Sequence, residues 1–254
     1  MAAYARILTL NVPRLTEKEA HRRIANALAS RAPRGCFKVY TPNPQIALGV
    51  SRSESLSSVF GRADLLLPDG IGLVIASRML GSPLPCRITG IDTAERVLGF
   101  AERRGLRVAL LGGRRGVAEL AKRRLSLRFP SLRVCFTHHG YFEKDGAENE
   151  RVVRALRQSR PDILFVCLGF PAQEMWIDEN ARHIPTLRLA MGLGGALDVW
   201  SGRVKRAPRV VRDMRLEWLW RTLGDPSRCG RLIDSCAFFW ETALCLNAKC
   251  GIRN

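Results

Sequence analysis

Short apolar runs alternate with amphipathic stretches along the chain, and several runs stop abruptly at polar turns. Residues 37–40 lead into Thr-Pro-Asn-Pro, and residues 65–67 lead into Pro-Asp-Gly. Apolar runs of this length between turn signals predict buried strands of a parallel sheet, and the segment between these two predicts a crossover helix. Groups just past the carboxyl ends of neighbouring parallel strands meet in one crevice. We therefore expect Thr41, Asn43 and Asp69 to face the same cleft.

The rest of the pattern predicts further strands and helices in alternation. Further strands are predicted at residues 7–12, 107–111, 132–137, 162–168 and 187–191. Helices are predicted at residues 16–29, 71–80, 93–104, 117–127 and 148–158. A capping box, Thr16 followed by Glu19, marks the start of the first helix. The alternation predicts an α/β fold with a doubly wound, mostly parallel, Rossmann-like sheet.

Asp69 immediately precedes the predicted helix 71–80, and this position has two interpretations. The partial positive charge of a helix N-terminus favours an ionised carboxylate, which is the form that a general base needs. Aspartate is also a preferred N-cap residue, with no catalytic role required. Both interpretations are open on the residues alone.

Length and composition are those of a soluble globular protein, but the charge is unusual. The chain has 254 residues, 46% hydrophobic and 25% charged, with a net charge of +18. Such a charge indicates an anionic partner: nucleic acid, an anionic membrane surface or phosphorylated substrates. The eight cysteines form no C-x-x-C pair and predict free thiols in a reducing cytosol. We recognise no signal peptide and no apolar run of the ~20 residues that a spanning helix needs.

The composition changes after Gly202. Residues 203–231 hold nine basic residues against three acidic ones, with Trp218 and Trp220 among them. This mixture suits a helix at a membrane interface, although a solvated basic helix is the alternative. Residues 232–246 are apolar on most faces but too short to span a bilayer, so they either dock on the core or embed in one leaflet. We predict a catalytic core at 1–202 and a helical, basic, membrane-binding appendage at 203–254.

Other motifs narrow the chemistry. Gly112, Gly113 and Gly116 follow a predicted strand and either cradle a phosphate or simply make the turn, because the full dinucleotide fingerprint is missing. His138 and His139 are adjacent and do not share a metal; we expect them at the edge of the cleft. D-x-D, H-E-x-x-H, P-loop and G-x-S-x-G motifs are absent. We therefore expect no metal and no cofactor.

Six short motifs occur in order along the chain. They are Thr41-Pro42-Asn43-Pro44, Pro68-Asp69-Gly70, Arg87-x-x-Gly90-x-Asp92, Gly169-x-Pro171-x-Gln173-Glu174, Gly194-Gly195-x-x-Asp198 and Glu217-Trp218-Leu219-x-Arg221. Together they resemble the WecG/TagA/CpsF glycosyltransferases (glycosyltransferase family 26), over roughly residues 9–231. Departures from the family pattern are Gln45 where Glu is common, Ala172 where Lys is common, and Leu197 where an aromatic residue is common.

The resemblance implies an inverting, metal-independent transfer of N-acetylmannosamine, or a related sugar, from a UDP-sugar. The implied acceptor is the 4-hydroxyl of N-acetylglucosamine-diphospho-undecaprenol, in the synthesis of teichoic acid or another cell-surface polysaccharide. It also implies a cytoplasmic protein, peripheral on the inner face of the cell membrane, whose appendage completes the active site. A homo-oligomer is possible, and nucleic acid is not an expected partner.

The resemblance also implies roles for individual residues. The expected catalytic residues are Asp69, which is the base, together with Thr41 and Gln173. Thr41, Gln173 and Asn43 are expected to position the sugars. Arginines are expected to replace a metal ion as the positive charge facing the diphosphate. The expected substrate-binding residues are Asn43, Arg87, Asp198, Arg221, Arg228 and Arg231, the first three with structural alternatives: an Asx turn, a pair with Asp92 and a helix cap.

Two other classes of function are weighed against glycosyl transfer. The charge alone suggests a nucleic-acid-binding α/β protein, but no reading motif or aromatic platform accompanies it. An NAD-dependent oxidoreductase is disfavoured by the incomplete glycine fingerprint. Protection from thermal unfolding by UDP but not by NAD would separate glycosyl transfer from the oxidoreductase, and binding to anionic liposomes with transfer from a UDP-sugar would separate it from nucleic-acid binding.

Overall fold

The computed structural model describes residues 4–29, 35–208, 211 and 230–251, with side chains of the last helix described for 233–246. The strands are β1 (Tyr4–Ile7), β2 (Leu10–Pro13), β3 (Phe37–Tyr40), β4 (Leu65–Leu66), β5 (Arg107–Gly112), β6 (Arg133–His138), β7 (Ile163–Cys167) and β8 (Leu189–Gly192). The helices are α1 (Glu17–Ala29), α2 (Pro44–Ser51), α3 (Glu54–Gly61), α4 (Ile71–Met79), α5 (Gly90–Arg104), α6 (Val117–Arg128), α7 (Gly146–Ser159), α8 (Ala172–Asn180), α9 (Ala196–Trp200) and a C-terminal helix (Gly230–Gly251).

A six-stranded parallel sheet forms the centre, in the order β4-β3-β8-β7-β5-β6. Alternate residues of each strand face opposite sides, because side chains alternate along a strand. Val39 and Leu65 pack with α1, α5, α6 and α9, whereas Tyr40 and Leu66 pack with the helices on the other side. The predicted α/β architecture with a parallel, Rossmann-like sheet is confirmed.

The N-terminal region differs from the prediction. A single strand at 7–12 was expected, but β1 and β2 form an antiparallel hairpin outside the main sheet, with Ile7 paired to Leu10. Leu8 adopts a positive φ of 51°, which lets the chain reverse within two residues. The capping box is confirmed, since the Thr16 amide donates to Glu19 Oε2 at 2.8 Å and the Glu19 amide to Thr16 Oγ1 at 3.3 Å.

The connection between β3 and β4 contains two helices instead of the single predicted crossover helix. Asn43 caps the first helix, α2, and Ser53 caps the second, α3; each side chain accepts a hydrogen bond from a backbone amide in the first helical turn. The connection still returns the chain to a parallel neighbour, with Val39 paired to Leu65. The carboxyl ends of β3 and β4 therefore lie side by side.

The C-terminal helix docks on the core through one face. Phe238 and Thr242 are completely buried against the side of the sheet that carries α2 and α4. Arg52, at the end of α2, binds Glu241 of this helix with an Nη2–Oε1 distance of 2.8 Å. Among the described helices, none combines the length and the apolar character needed to cross a bilayer.

The outward face of the C-terminal helix is apolar. Ile233, Trp240 and Leu244 are 72%, 68% and 49% exposed. Their spacing of seven and four residues places them on one side of the helix, opposite Phe238. We call these three side chains the outer stripe.

Candidate active site

Three loop segments meet at the carboxyl ends of β3 and β4, held by backbone hydrogen bonds. The Leu67 amide donates to the Tyr40 carbonyl at 2.9 Å, and the Asp69 amide to the Pro42 carbonyl at 2.9 Å. The Ile88 amide donates to the Pro68 carbonyl at 3.0 Å, which brings in the segment before α5. The backbone on both sides of Asp69 is thereby anchored to its neighbours.

The Asp69 carboxylate lies at the N-terminus of α5 and does not cap α4. Its Oδ2 accepts a hydrogen bond from the Gly90 amide at 3.2 Å. The N-cap of α4 is Gly70, with no side-chain capping bond, so the N-cap interpretation of Asp69 is wrong. The α5 dipole favours the ionised carboxylate. A helix N-terminus does bind the Asp69 carboxylate, but it is that of α5 and not that of the predicted helix 71–80, which is α4.

Arg87 places a positive charge beside Asp69. Its Nε lies 4.0 Å from Asp69 Oδ1, and its side chain is 13% exposed while that of Asp69 is 36% exposed. Asp69 thus has a positive neighbour on one side and solvent access on the other. Asp92, the alternative partner considered for Arg87, has its Oδ1 2.7 Å from Arg206 Nη2 and also contacts the Thr89 hydroxyl.

Thr41 is buried between α5 and β8. Its hydroxyl donates to the Gly192 carbonyl at 3.1 Å, a contact between residues 151 positions apart. Its methyl group lies against Gly90, where an added Cβ would stand only 2.9 Å from Thr41 Cγ2. Thr41 therefore touches both the helix that holds Asp69 and the end of β8.

The amide of Gln173 is fixed from two directions. Its Oε1 accepts from the Gly194 amide at 2.8 Å, and its Nε2 donates to Glu174 Oε1 at 2.9 Å. A backbone N–H only donates, so the first bond settles which end of the amide is oxygen. The side chain also lies against Gly192, where a Cβ would meet Nε2 at 3.1 Å.

A continuous series of contacts therefore joins the three residues expected to be catalytic. Asp69 binds Gly90, Gly90 touches Thr41, Thr41 binds Gly192, and Gly192 touches Gln173. The arrangement depends on β8 lying beside β3 in the sheet. The geometry brings together a carboxylate, a hydroxyl, an amide and a guanidinium at the carboxyl ends of neighbouring strands.

Asn43 and Asp198 have local structural settings that the sequence left open. Asn43 Oδ1 accepts from the Ile46 amide at 3.0 Å, so the Asn43 side chain caps α2 and lies beside Gly70. Asp198 belongs to the first turn of α9, but the N-cap of that helix is Gly195 and has no side-chain capping bond. The helix-cap alternative for Asp198 is wrong. Its charge is near Cys167, whose pKa is raised to about 12, mainly by burial and partly by Asp198.

The appendage residues of the prediction are only partly described. Arg221, Arg228, Trp218 and Trp220 lie outside the described residues, and Arg231 lies in the C-terminal helix with its side chain outside them. Their expected roles stay predictions.

The histidines and the glycine-rich turn belong to the other half of the sheet. His138 ends β6, the edge strand opposite β4, and five strand spacings place it roughly 24 Å from that edge. His138 and His139 were expected at the edge of the cleft. His138 instead lies at the far side of the sheet from Asp69, so this expectation is wrong for it. Gly112, Gly113 and Gly116 all have positive φ, so the turn itself requires glycine. In the described part of the chain, no three metal-ligating side chains are grouped to hold an ion.

Sequence reasoning gave no role to Glu174, although this residue ends the Gly169-to-Glu174 motif. The side chain is completely buried, and its Oε2 has no hydrogen-bond partner among the described residues. Burial raises the pKa of Glu174 to about 7, against the smaller lowering effect of the hydrogen bond from Gln173. The signal available in the sequence was an acid directly beside Gln173, a residue predicted to be catalytic.

The chain is similar to one protein family and to individual members with known names. The profile of the family described as "Glycosyl transferase WecG/TagA/CpsF family" matches residues 5–250. A Bacillus spizizenii protein is 36% identical over 201 residues, covering 79% of this chain and 76% of the relative. A Staphylococcus aureus protein is 33% identical over 237 residues, covering 93% and 91%. Both are named N-acetylglucosaminyldiphosphoundecaprenol N-acetyl-beta-D-mannosaminyltransferase.

Proposed function

Because the chain belongs to the WecG/TagA/CpsF family of glycosyl transferases, we propose that it adds N-acetylmannosamine, or a related sugar, to N-acetylglucosamine-diphospho-undecaprenol. The donor in this proposal is a UDP-sugar, and the acceptor group is the 4-hydroxyl. The names of the relatives support the transferred sugar and the acceptor. The resemblance seen in the motifs is confirmed at the level of the family, and it favours glycosyl transfer over the nucleic-acid-binding and NAD-dependent alternatives.

The observation that carries the mechanism is the solvent-accessible Asp69 carboxylate at the N-terminus of α5. In the proposed reaction, Asp69 takes the proton of the acceptor hydroxyl as its oxygen attacks the anomeric carbon of the donor. A new carbon–oxygen bond forms on one face of that carbon, and the bond to the UDP oxygen breaks on the other. The configuration is therefore inverted, UDP leaves with the electron pair, and the proton resides on Asp69.

The other residues of the site orient the substrates and balance charge. Thr41 and Gln173 form a rigid polar edge in which backbone contacts limit side-chain freedom. Arg87 keeps a positive charge near the base and the departing phosphate. In the proposal, Arg221, Arg228 and Arg231 supply further positive charge toward the diphosphate groups, and no metal ion is required.

The proposal is tested with a short-chain N-acetylglucosamine-diphospholipid and a panel of UDP-sugars. We expect UDP-N-acetylmannosamine to be consumed, with release of UDP and formation of a β-linked disaccharide lipid, at the same rate with and without EDTA. UDP-N-acetylglucosamine, UDP-glucose and UDP-N-acetylmannosaminuronic acid complete the panel. Transfer from none of these donors would contradict the proposal, and loss of activity in EDTA would contradict metal independence.

A glycine pair on one helix offers a matched test of the Thr41 position. Gly90→Ala places a methyl group 2.9 Å from Thr41 Cγ2 and 3.3 Å from its hydroxyl oxygen, so Thr41 must shift from its present position and its hydrogen bond to the Gly192 carbonyl is disturbed. We expect kcat to fall by about 10- to 100-fold, the size of effect that a small misplacement of positioning groups produces. Steady-state kinetics and a thermal melt of the variant check this.

Gly99→Ala is the control on the same helix. Its added Cβ meets only ordinary contacts, at 3.5 Å from Arg103 Nη1 and 3.8 Å from Phe129 Cε1. Alanine in a helix interior is more stable than glycine by about 0.5–1 kcal/mol, so this variant should melt slightly higher with unchanged kcat. Equal kcat values for the two variants would contradict the proposed role of the Thr41 contact.

We also propose that the protein acts on the membrane surface, which in this reaction is the inner face of the cell membrane. The outer stripe gives the C-terminal helix an apolar side with an exposed tryptophan, the composition of interfacial helices. The helix packs against α4, whose Ile75 and Met79 are also exposed. The net charge of +18 adds attraction to anionic lipid. Homo-oligomerisation stays a prediction.

Vesicle flotation tests the outer stripe. Trp240→Ser with Leu244→Ser should weaken binding to phosphatidylglycerol vesicles by at least roughly tenfold, because burying one such side chain contributes about 1.5–3 kcal/mol. The control is Leu127→Ser on α6, an apolar side chain 84% exposed on the other side of the sheet. Equal binding of wild type and the double variant would show that the stripe does not contact lipid.

A further inference from the structure

Glu174 is a completely buried acid that accepts a side-chain hydrogen bond from Gln173, and no cation of the described residues pairs with it. Its Oε1 accepts from Gln173 Nε2 at 2.9 Å, and no described group pairs with Oε2. The backbone carbonyl of Glu174 accepts from the Tyr40 hydroxyl at 3.2 Å. Tyr40 directly precedes Thr41, so the start of α8 and the end of β3 are joined at this residue.

The charged groups described near Glu174 pair with one another and not with Glu174. On β3, the Tyr40 phenol faces it, and burial raises the pKa of Tyr40 above its ordinary value, so this group is uncharged. On α8, Asp178 lies one turn further and is paired with Lys38 and Arg62 at 2.7 Å and 2.6 Å. A buried carboxylate without a cation is costly, so burial raises the pKa of Glu174 to about 7.

We propose that Glu174 is a positioning residue whose uncharged carboxyl group holds the Gln173 amide against Gly192 and Gly194. Gln173 is then fixed on both sides, by Glu174 through Nε2 and by the Gly194 amide through Oε1. The same two glycines lead back to Thr41, whose hydroxyl binds the Gly192 carbonyl. Ionisation of Glu174 would place an unpaired negative charge beside Gln173. The Gln173 amide would then be held less firmly against Gly192 and Gly194. The inference rests on the proposed function, in which Gln173 contacts a sugar.

The first measurement does not depend on activity. The folded-state pKa of Glu174 lies above its unfolded value of 4.5, so wild type loses stability as pH rises from about 4.5 to about 7. Glu174→Gln keeps the shape and the neutral charge and removes this loss. We expect its Tm to exceed that of wild type by about 5 °C at pH 7.5, with the difference vanishing toward pH 5.

Asp178→Asn is the matched control on the same helix. Burial alone would raise the pKa of Asp178, but hydrogen bonds from Arg62 and Lys38 outweigh burial and lower that pKa. Its contribution to stability is present above the unfolded pKa and is lost at lower pH. Asp178→Asn should therefore lower Tm at pH 7.5, opposite to Glu174→Gln, and leave the pH profile of activity unchanged.

The second measurement is kcat and KM against pH with the short-chain lipid acceptor. Wild-type kcat should decline above about pH 7, and Glu174→Gln should keep kcat within about threefold at pH 6.5 without the decline. Glu174→Ala should lose about 100-fold in kcat, since Gln173 is released. A decline unchanged in Glu174→Gln, or wild-type kcat in Glu174→Ala, would overturn the proposal.

The two measurements separate failure of this inference from failure of the proposed function. If wild type transfers no sugar, the proposed function fails, and the pH dependence of Tm still decides whether Glu174 is neutral. Non-additive effects of Gln173→Ala and Glu174→Ala on Tm would support the contact, because side chains that bind each other couple. Identical pH profiles of Tm for wild type and Glu174→Gln, or additive effects of the alanine variants, would overturn it.

Discussion

Replacing Asp69 with asparagine should lower kcat by about 10²–10⁴-fold, the usual contribution of general-base assistance, while Tm changes little. Asparagine keeps the shape of the side chain and an oxygen that accepts from the Gly90 amide. It removes the ability to take a proton and the charge that faces Arg87. KM should change less than kcat, because the lost interaction acts as the proton moves.

Asp64→Asn is the control for this prediction. Asp64 stands just before β4 and accepts from the Lys38 amide at 2.7 Å, so it occupies the opposite end of the strand that leads to Asp69. The same chemical change there should leave kcat within about twofold, as for a surface group away from the chemistry. Retention of more than a tenth of wild-type kcat in Asp69→Asn would reject Asp69 as the base.

Gly112→Ala should cause the largest loss of stability among the glycine replacements discussed, above about 4 kcal/mol. The added Cβ would stand 2.2 Å from the Cys167 carbonyl oxygen and 2.8 Å from its Cα, and a backbone cannot yield as a side-chain tip does. The φ of +133° is also one that alanine rarely adopts. Urea unfolding measures the change, and insoluble expression of the variant would agree with it.

Gly116→Ala, four residues later, isolates the conformational part of this cost. Its φ is +80°, and an added Cβ would meet nothing within 4 Å. The left-handed conformation alone costs about 1–2 kcal/mol for a residue with a Cβ. If the unfolding free energies of the two variants agree within about 1 kcal/mol, the close contact between Gly112 and Cys167 does not add to the cost.

Local patterns predicted most of the sheet and the helices around it. Strand β7 is a run of five fully buried residues, and its apolar character alone indicated a central strand. The prediction failed where a short-range event interrupts a continuous pattern. Leu8 reverses the chain inside an apolar stretch, and Ser53 starts a second helix directly after Arg52 ends the first.

The candidate site divides in the same way. A motif beside a strand end indicated Asp69, Thr41 and Gln173, but did not show what each residue touches. The sequence suggested an aspartate beside a helix N-terminus, whereas the structure gives it the amide of Gly90, 21 positions away. The motif contains Glu174, but it did not show that this residue is buried or that no described cation pairs with it.

By itself, the sequence determined the alternation of strands and helices, the capping box at Thr16, and the polar residues that follow each buried strand. These features depend on neighbours a few positions apart, where hydrophobic period and capping chemistry act directly. Only the tertiary structure decided that β8 lies between β3 and β7. That order joins Thr41 to Gly192 across 151 positions and buries Glu174. Local patterns could not predict it, because the strands are brought together by long crossover connections.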